Sequence, residues 1–422
     1  MPSWALILHF YQPPSQSLTL TELILRSSYL PFLDLLLTHP EIQMTLNISA
    51  SLLLQLEQIK DHDFFEKIKA LGNRGQIEFL NSAIFHPILP LTPLTVITRQ
   101  IKENAEIVEK FCHSKPVPGF FPPELAVDEK VLRLISKQMD FTIIDESSLN
   151  PNFDLKEIPK SSIFKFQISN FKFLVSSRSL TELIRGYPTV LHADKLITFI
   201  NSQISVPKER GANLKSPLVS VSDAEVFGHH YSERTNLLRG LFESGGFRFI
   251  KATTALENLK SQVSSLKSSL VASSWQTARE DIKAGVPFIF WNNPHNPLQK
   301  KYHRLAQMAY KFLKKCSQEE SSSHTIHSAE HYFDQGISSC HTYWLSNSPW
   351  WHPDLAELGA RNLVKTIRTL PVAPSQKLAA ERFYHRFMLE VWNRHWSGEV
   401  ENQYRLYDST RVQFLNSLPK LE

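Results

Sequence analysis

Short apolar runs alternate with longer stretches of helical spacing through residues 4–250, and most of the runs stop at a polar or proline-bearing turn. Residues 4–8 are continuously apolar, as in a strand buried on both faces of a parallel sheet. That run ends at His9, Tyr11 and Gln12, where Pro13 and Pro14 remove backbone donors and stop the strand. Residues 20–37 have helical spacing, 44–48 read as a strand, and 51–59 and 64–71 read as helices stopped by Gly72 and Gly75. Residues 76–82 give the next strand, which closes on a proline-fixed turn carrying His86. A long amphipathic helix over 95–111 leads to a strand that Pro122 and Pro123 end just before Glu124. A helix with Asp128 and Glu129 in its first turn follows. Residues 141–145 form an apolar run ending in Asp145, and 163–167 and 171–177 alternate as a hairpin or paired edge. Helical segments over 180–185 and 193–204 precede a strand over 217–222 that runs into Asp223.

Strands alternating with helices predict an α/β fold with a mainly parallel sheet, open or closed into a barrel. Polar residues recur where the strands end: His9, Gln12, His86, Glu124, Asp145 and Asp223. Acids scattered at random would fall at either strand end, whereas collection at the carboxyl ends is the active-site pattern of β/α folds. After residue 259 the character changes. Residues 261–274 are serine-rich, the chain from Trp275 onward is helical in pattern, and 317–327 read as a polar loop. The expected division is a catalytic barrel over 1–259 and a C-terminal helical domain over 260–422 that completes the cleft.

Composition narrows the function. The formal net charge of +5 over 422 residues is small and spread out, with no basic cluster interleaved with aromatics, which argues against nucleic acid. Cys112, Cys316 and Cys340 are odd in number and lack CxxC spacing, as in a reducing compartment. No apolar segment is long enough to span a bilayer, so a cytoplasmic enzyme or binding protein with no membrane partner is expected.

Two carboxylates on strand-end turns, Glu124 and Asp223, suit cleavage of a glycosidic bond. Retention of configuration needs them about 5–5.5 Å apart and inversion about 6.5–9.5 Å. Asp223, beside Val226, Phe227 and Glu225, is placed to have its proton affinity raised, as an acid requires. Tyr11, Phe121, Tyr343, Trp344, Trp350 and Trp351 offer faces for sugar stacking, with core packing as the competing role. Asp145 and Glu225 fit local turn capping. Among 17 histidines no HExxH spacing occurs, and no metal or other cofactor is expected. His9, His86, Asp145 and Asp223 still leave open a metal-dependent polysaccharide deacetylase on a similar barrel. A non-catalytic glycan-binding protein is the third reading.

These motifs resemble, in order, those of glycoside hydrolase family 57, whose members act on α-glucans and related α-linked sugars. His9 to Pro13 is similar to the family's first motif, and Gly75 to Glu78 through His86 to Pro90 is similar to the second. Gly119 to Glu124 resembles the third, Ser222 to Gly228 the fourth, and Cys340 to Trp351 the fifth. The resemblance implies an incomplete seven-stranded (β/α) barrel followed by a C-terminal helical domain, and a retaining mechanism without metal. By the same resemblance Glu124 is the nucleophile and Asp223 the general acid/base. His9, Gln12, Glu78 and His86 become candidates for orienting the sugar, and Phe121, His229, His230, Trp344 and Trp351 for contacting it. The chain departs from the family's usual pattern at Phe121, Ala224 and His230, and both carboxylates remain. An active glycosidase or glucanotransferase on oligo- or polysaccharide is the expectation.

Overall fold

The computed structural model of the protein describes residues 1–149, 163–165, 171–186, 192–204, 216–257, 264–265, 270–319, 324–347 and 350–406. Its strands are β1 (Ser3–Phe10), β2 (Met44–Ile48), β3 (Ile77–Asn81), β4 (Val117–Phe120), β5 (Phe141–Asp145), β6 (Ile163–Lys165), β7 (Lys172–Ser176) and β8 (Leu218–Asp223). Parallel pairing runs in the order β7-β5-β4-β3-β2-β1-β8. Just past β7 the Ser177 N–H donates to the Val219 carbonyl of β8 at 2.9 Å, so this seven-stranded barrel is nearly closed. Strand β6 pairs antiparallel with β7 on the side away from β5, as the alternation of 163–167 and 171–177 predicts. The expected turn at Ser169 and Asn170 lies outside the described residues.

The two-residue period of the strands sorts side chains between two layers. On β1, Trp4, Leu6, Leu8 and Phe10 pack outward on the surrounding helices, while Ala5 and Ile7 fill the barrel. His9 continues the inward series at the strand's carboxyl end. On β8, Val219 and Val221 are inward, and Asp223 is next in that series and in register with His9. Burying each large apolar side chain contributes roughly 1.5–3 kcal/mol, so a slip of one residue is strongly disfavoured. The same energy that fixes the register aims His9 and Asp223 into one space.

The C-terminal region is helical. Helices Pro297–Glu319, His324–Gly336, Pro353–Thr369 and Pro374–Trp396 share one core that includes Tyr302, Phe333, Leu363 and Phe387. Gly359 allows the close approach there, since a Cβ would lie 2.1 Å from the Tyr302 hydroxyl. The loop expected over 317–327 is a correction: helices occupy both its ends, up to Glu319 and again from His324. Ser317 fits inside a helix because its hydroxyl donates to the Leu313 carbonyl at 2.8 Å. Among the described residues no helix is long and apolar enough to cross a membrane.

Arg99, on the helix Leu94–Cys112 beside the barrel, ties it to the helical region. Its guanidinium donates to Asp334 at 2.7 and 3.2 Å and to Glu330 at 2.6 Å. The Asp334 side chain is 2% exposed, so removing the cation leaves a buried carboxylate unpaired. Arg99→Ala is expected to cost about 3–5 kcal/mol of stability. Urea unfolding checks this, and a loss below about 1 kcal/mol would place the pair among weak surface bridges.

Candidate active site

Glu124 occupies a single turn, Pro123–Leu125, directly after β4. Its backbone is left-handed, with φ 58° and ψ 16°, and Leu125 follows at φ 49°. Non-glycine residues there cost on the order of 1–3 kcal/mol each and persist only where surroundings impose them. Here the imposing contacts are visible. Pro122 and Pro123 restrict the approach, and the Trp275 N–H donates to the Glu124 carbonyl at 3.1 Å. The Trp275 indole N–H then donates to Glu124 Oε2 at 2.7 Å, so one residue holds both the backbone and the carboxylate.

The other carboxylate oxygen is held from the opposite side. Ser339 Oγ donates to Glu124 Oε1 at 3.2 Å and lies 3.0 Å from His86 Nδ1. With the hydroxyl proton directed at Glu124, His86 must donate from Nδ1, which leaves its Nε2 as a lone-pair acceptor. His86 is itself at φ 55°, and its carbonyl accepts from the Ser339 N–H at 3.0 Å. The helical region is thus joined to the barrel at the site.

His9 repeats the arrangement. Its Nδ1 lies 2.7 Å from Asn47 Oδ1, while the Asn47 amide donates to the Leu80 carbonyl at 3.1 Å, so His9 is the donor. Burial lowers the proton affinity of His9, partly offset by the charge of Asp223. Burial, then the neighbouring His9, holds His86 well below the usual imidazole range. Two neutral rings stacked 4.8 Å apart therefore present Nε2 acceptors, and neither Nε2 has a hydrogen-bond partner among the described residues. Such buried acceptors suit hydroxyl groups of a ligand.

Glu124, Asp223, His9, Gln12, His86 and Glu225 share one open cleft of about 450 Å³. His229, His230, Trp275, Tyr343 and Trp344 also face it. Gly228, at φ 112°, makes the turn before the two histidines, and a Cβ there would meet the Ser27 carbonyl at 2.1 Å.

Three expected sugar contacts are placed elsewhere. Glu78 is at the amino end of β3, the far end of the barrel, where it accepts from Thr45 Oγ1 at 2.8 Å and from the Thr253 N–H at 3.1 Å. A polar residue inside a strand looks the same in sequence whichever end it faces. Phe121 is fully buried and stacks on His9 at 4.7 Å, so it supports that ring from beneath. Trp351, 6% exposed, belongs to the helical core and its indole N–H donates to His395 at 3.2 Å.

Glu225, read from sequence as a turn acid, is a central buried group. Gln12 donates to its Oε1 at 2.9 Å, and the Tyr29 hydroxyl donates to the same oxygen. Burial, then the charge of Asp223, pushes its carboxyl up from 4.5 to about 8. Below the lower value both folded and unfolded chains hold this proton. Between the two values only the unfolded chain releases it, so stability falls as pH rises through that window. Glu225→Gln is expected to remove that slope. Urea unfolding near pH 5 and near pH 8 should show wild type losing stability relative to the variant, and parallel losses would refute the assignment.

Trp275, Ser339, Asn47 and Tyr29 carried no signal in the sequence. Each meets its partner across a long separation, 215 residues between Ser339 and Glu124. Asp145, expected to cap a turn, does accept from the Ser147 N–H at 3.0 Å, and it also binds Arg178. It is therefore not free to join His9, His86 and Asp223, and no group of three His, Cys, Asp or Glu suited to a metal occurs among the described residues.

The barrel carries Glu124 and Asp223, the acids of the third and fourth family-like motifs, at the carboxyl ends of β4 and β8 and on one cleft. Comparison agrees: the family model described as glycosyl hydrolase family 57 matches residues 7–266, and the chain belongs to that family. An alpha-amylase 1 of Dictyoglomus thermophilum is 27% identical over 228 residues, covering 53% of this chain and 31% of that relative. The match thus spans about a third of that curated relative. Among solved structures, a branching enzyme from Pyrococcus horikoshii superposes with a TM-score of 0.68 at 14% identity, covering 93% of this chain and 96% of its own. A 4-alpha-glucanotransferase from Thermococcus litoralis gives 0.65 at 16% identity, covering 88% and 61%. At these identities the structural likeness establishes the fold.

Proposed function

We propose that the protein is a retaining glycosidase or transglycosylase acting on α-linked glucans. Glu124 is the nucleophile and Asp223 the general acid and then base. The observation that carries this reading is the double hold on Glu124: indole and hydroxyl donors fix its two oxygens and keep them aimed. The cleft it faces contains Asp223 and the two histidine acceptors. In the first step Glu124 attacks the anomeric carbon while Asp223 protonates the departing oxygen. A glycosyl ester forms on Glu124, and water or an acceptor sugar, deprotonated by Asp223, resolves it. His9 and His86 accept sugar hydroxyls, and His229, His230 and Trp344 bound the outer subsites. Family membership and the amylase relative support the substrate class.

Product analysis tests the reading. Wild type and Glu124→Gln are incubated with maltooligosaccharides, amylose and α-galactosides in the presence of EDTA. Cleavage or transfer by wild type only is the expected result, and the product ladder separates hydrolysis from transfer. No turnover by wild type on this panel overturns the proposal and moves weight to a glycan-binding role or a metal-dependent esterase.

A further inference from the structure

Arg178 is a buried cation with no place in the mechanism above. It begins the helix Arg178–Gly186, just past β7, and its side chain is 8% exposed. Its guanidinium grips Asp145 at the end of β5 through Nε at 2.9 Å and Nη2 at 2.7 Å. The same fork reaches a third segment, donating to the Ser274 carbonyl at 2.8 Å and, at the limit of a hydrogen bond, to the Thr277 carbonyl at 3.5 Å. Those carbonyls flank Trp275.

We propose that Arg178 is a positioning residue for the nucleophile: clamped on Asp145, it fixes the turn Ser274 to Thr277 and so holds the Trp275 indole against Glu124. The turn is tight, with the Ser274 N–H donating to Thr277 Oγ1 at 2.8 Å and Thr277 Oγ1 donating to the Pro287 carbonyl at 2.7 Å. On its other side Ser273 pairs with Val127, just beyond the Glu124 turn. Trp275 therefore stands between two anchors, one just beyond the nucleophile's own turn and one made by Asp145 at the end of β5 and Arg178 just past β7. A planar arginine fork can bind a carboxylate and a carbonyl at once, whereas a lysine ammonium cannot reproduce that geometry. Misplacement of a positioned group by about 1 Å can cost roughly a hundredfold in rate.

The kinetic test rests on the glycosidase reading, and a second measurement does not. Trp275→Phe removes a hydrogen bond to a charged group and is expected to lower kcat roughly 10- to 100-fold. Arg178→Lys is expected to lower kcat roughly tenfold with KM within about twofold, because it changes the aim of Glu124 and leaves sugar contacts in place. The double variant should be no slower than Trp275→Phe alone, since Arg178 acts through Trp275. Asp145→Asn, which loosens the fork from its other end, gives the same comparison if Arg178→Lys does not fold. Wild-type kcat in a folded Arg178→Lys, or effects that multiply in the double variant, would overturn the proposal.

Fluorine NMR of protein carrying 5-fluorotryptophan reads the clamp without turnover. Trp275→Phe assigns one of eight tryptophan resonances, and Arg178→Lys should shift or broaden that one while leaving the rest in place. An unmoved Trp275 signal refutes the clamp. Wild type without glycan turnover, but with the signal displaced by Arg178→Lys, refutes the glycosidase reading alone.

Discussion

Glu124→Ala should lose catalysis by on the order of 10⁴-fold or more, and azide should restore turnover as a glycosyl azide of inverted configuration. Both oxygens of the carboxylate are held by donors from outside its own loop, Trp275 and Ser339. Its backbone lies at φ 58° in a turn on the cleft, and the indole and hydroxyl donors then fix the aim of the carboxylate. Removing it leaves a gap on the face opposite the departing sugar, and a small anion entering there must invert the anomeric centre. A retained azide product, or turnover near that of wild type, would move the nucleophile elsewhere.

Asp223→Ala should produce a different pattern. General acid–base catalysis contributes roughly 10²–10⁴-fold, and its loss depends on how much help the leaving group needs. The variant should be slow on maltooligosaccharides, whose leaving alcohol must be protonated, and much less impaired on an aryl glycoside with an acidic phenol. Azide should accelerate the second step and give a glycosyl azide of retained configuration, because the covalent intermediate on Glu124 still forms. The register supports this assignment, since Asp223 lies beside His9 at the end of β8. If slow turnover proves equal for all leaving groups, Asp223 binds substrate and does not transfer a proton. Glu225, buried behind it and bonded by Gln12 and Tyr29, is then the next carboxyl to test.

Most of the barrel was legible in the sequence because its signals are local. Strands β2 and β5 fall on the predicted residues, β1, β3 and β8 lie within a residue or two of them, and β4 stops just before the two prolines. Short apolar runs followed closely by Pro13 and Pro122 state where β1 and β4 stop. The two-residue period states which residues share a face, which is why His9 and Asp223 could be placed at strand ends together. Glu78 shows the limit of that logic. The resemblance of its motif made it a candidate for orienting the sugar, and only the pairing of Thr45 with Glu78 shows that it lies toward the amino end.

The aromatic residues show a second limit. Phe121, Trp344 and Trp351 look equivalent along the chain, and burial separates them: Phe121 under His9, Trp351 in the helical core, Trp344 on the cleft. Burial is a property of neighbours brought from other elements, and composition does not encode it.

By itself the sequence determined the alternation of strand and helix, the carboxyl-end position of Glu124 and Asp223, and the family motifs that carry them. Those follow from periodicity, proline stops and residue chemistry within a few positions. Tertiary structure alone decided what holds the site: Trp275 and Ser339 on Glu124, Asn47 on His9, Tyr29 on Glu225, and Arg178 between Asp145 and the Trp275 turn. Each of these contacts joins elements far apart in the chain, and a hydrogen bond leaves no pattern in sequence until packing brings donor and acceptor within about 3 Å.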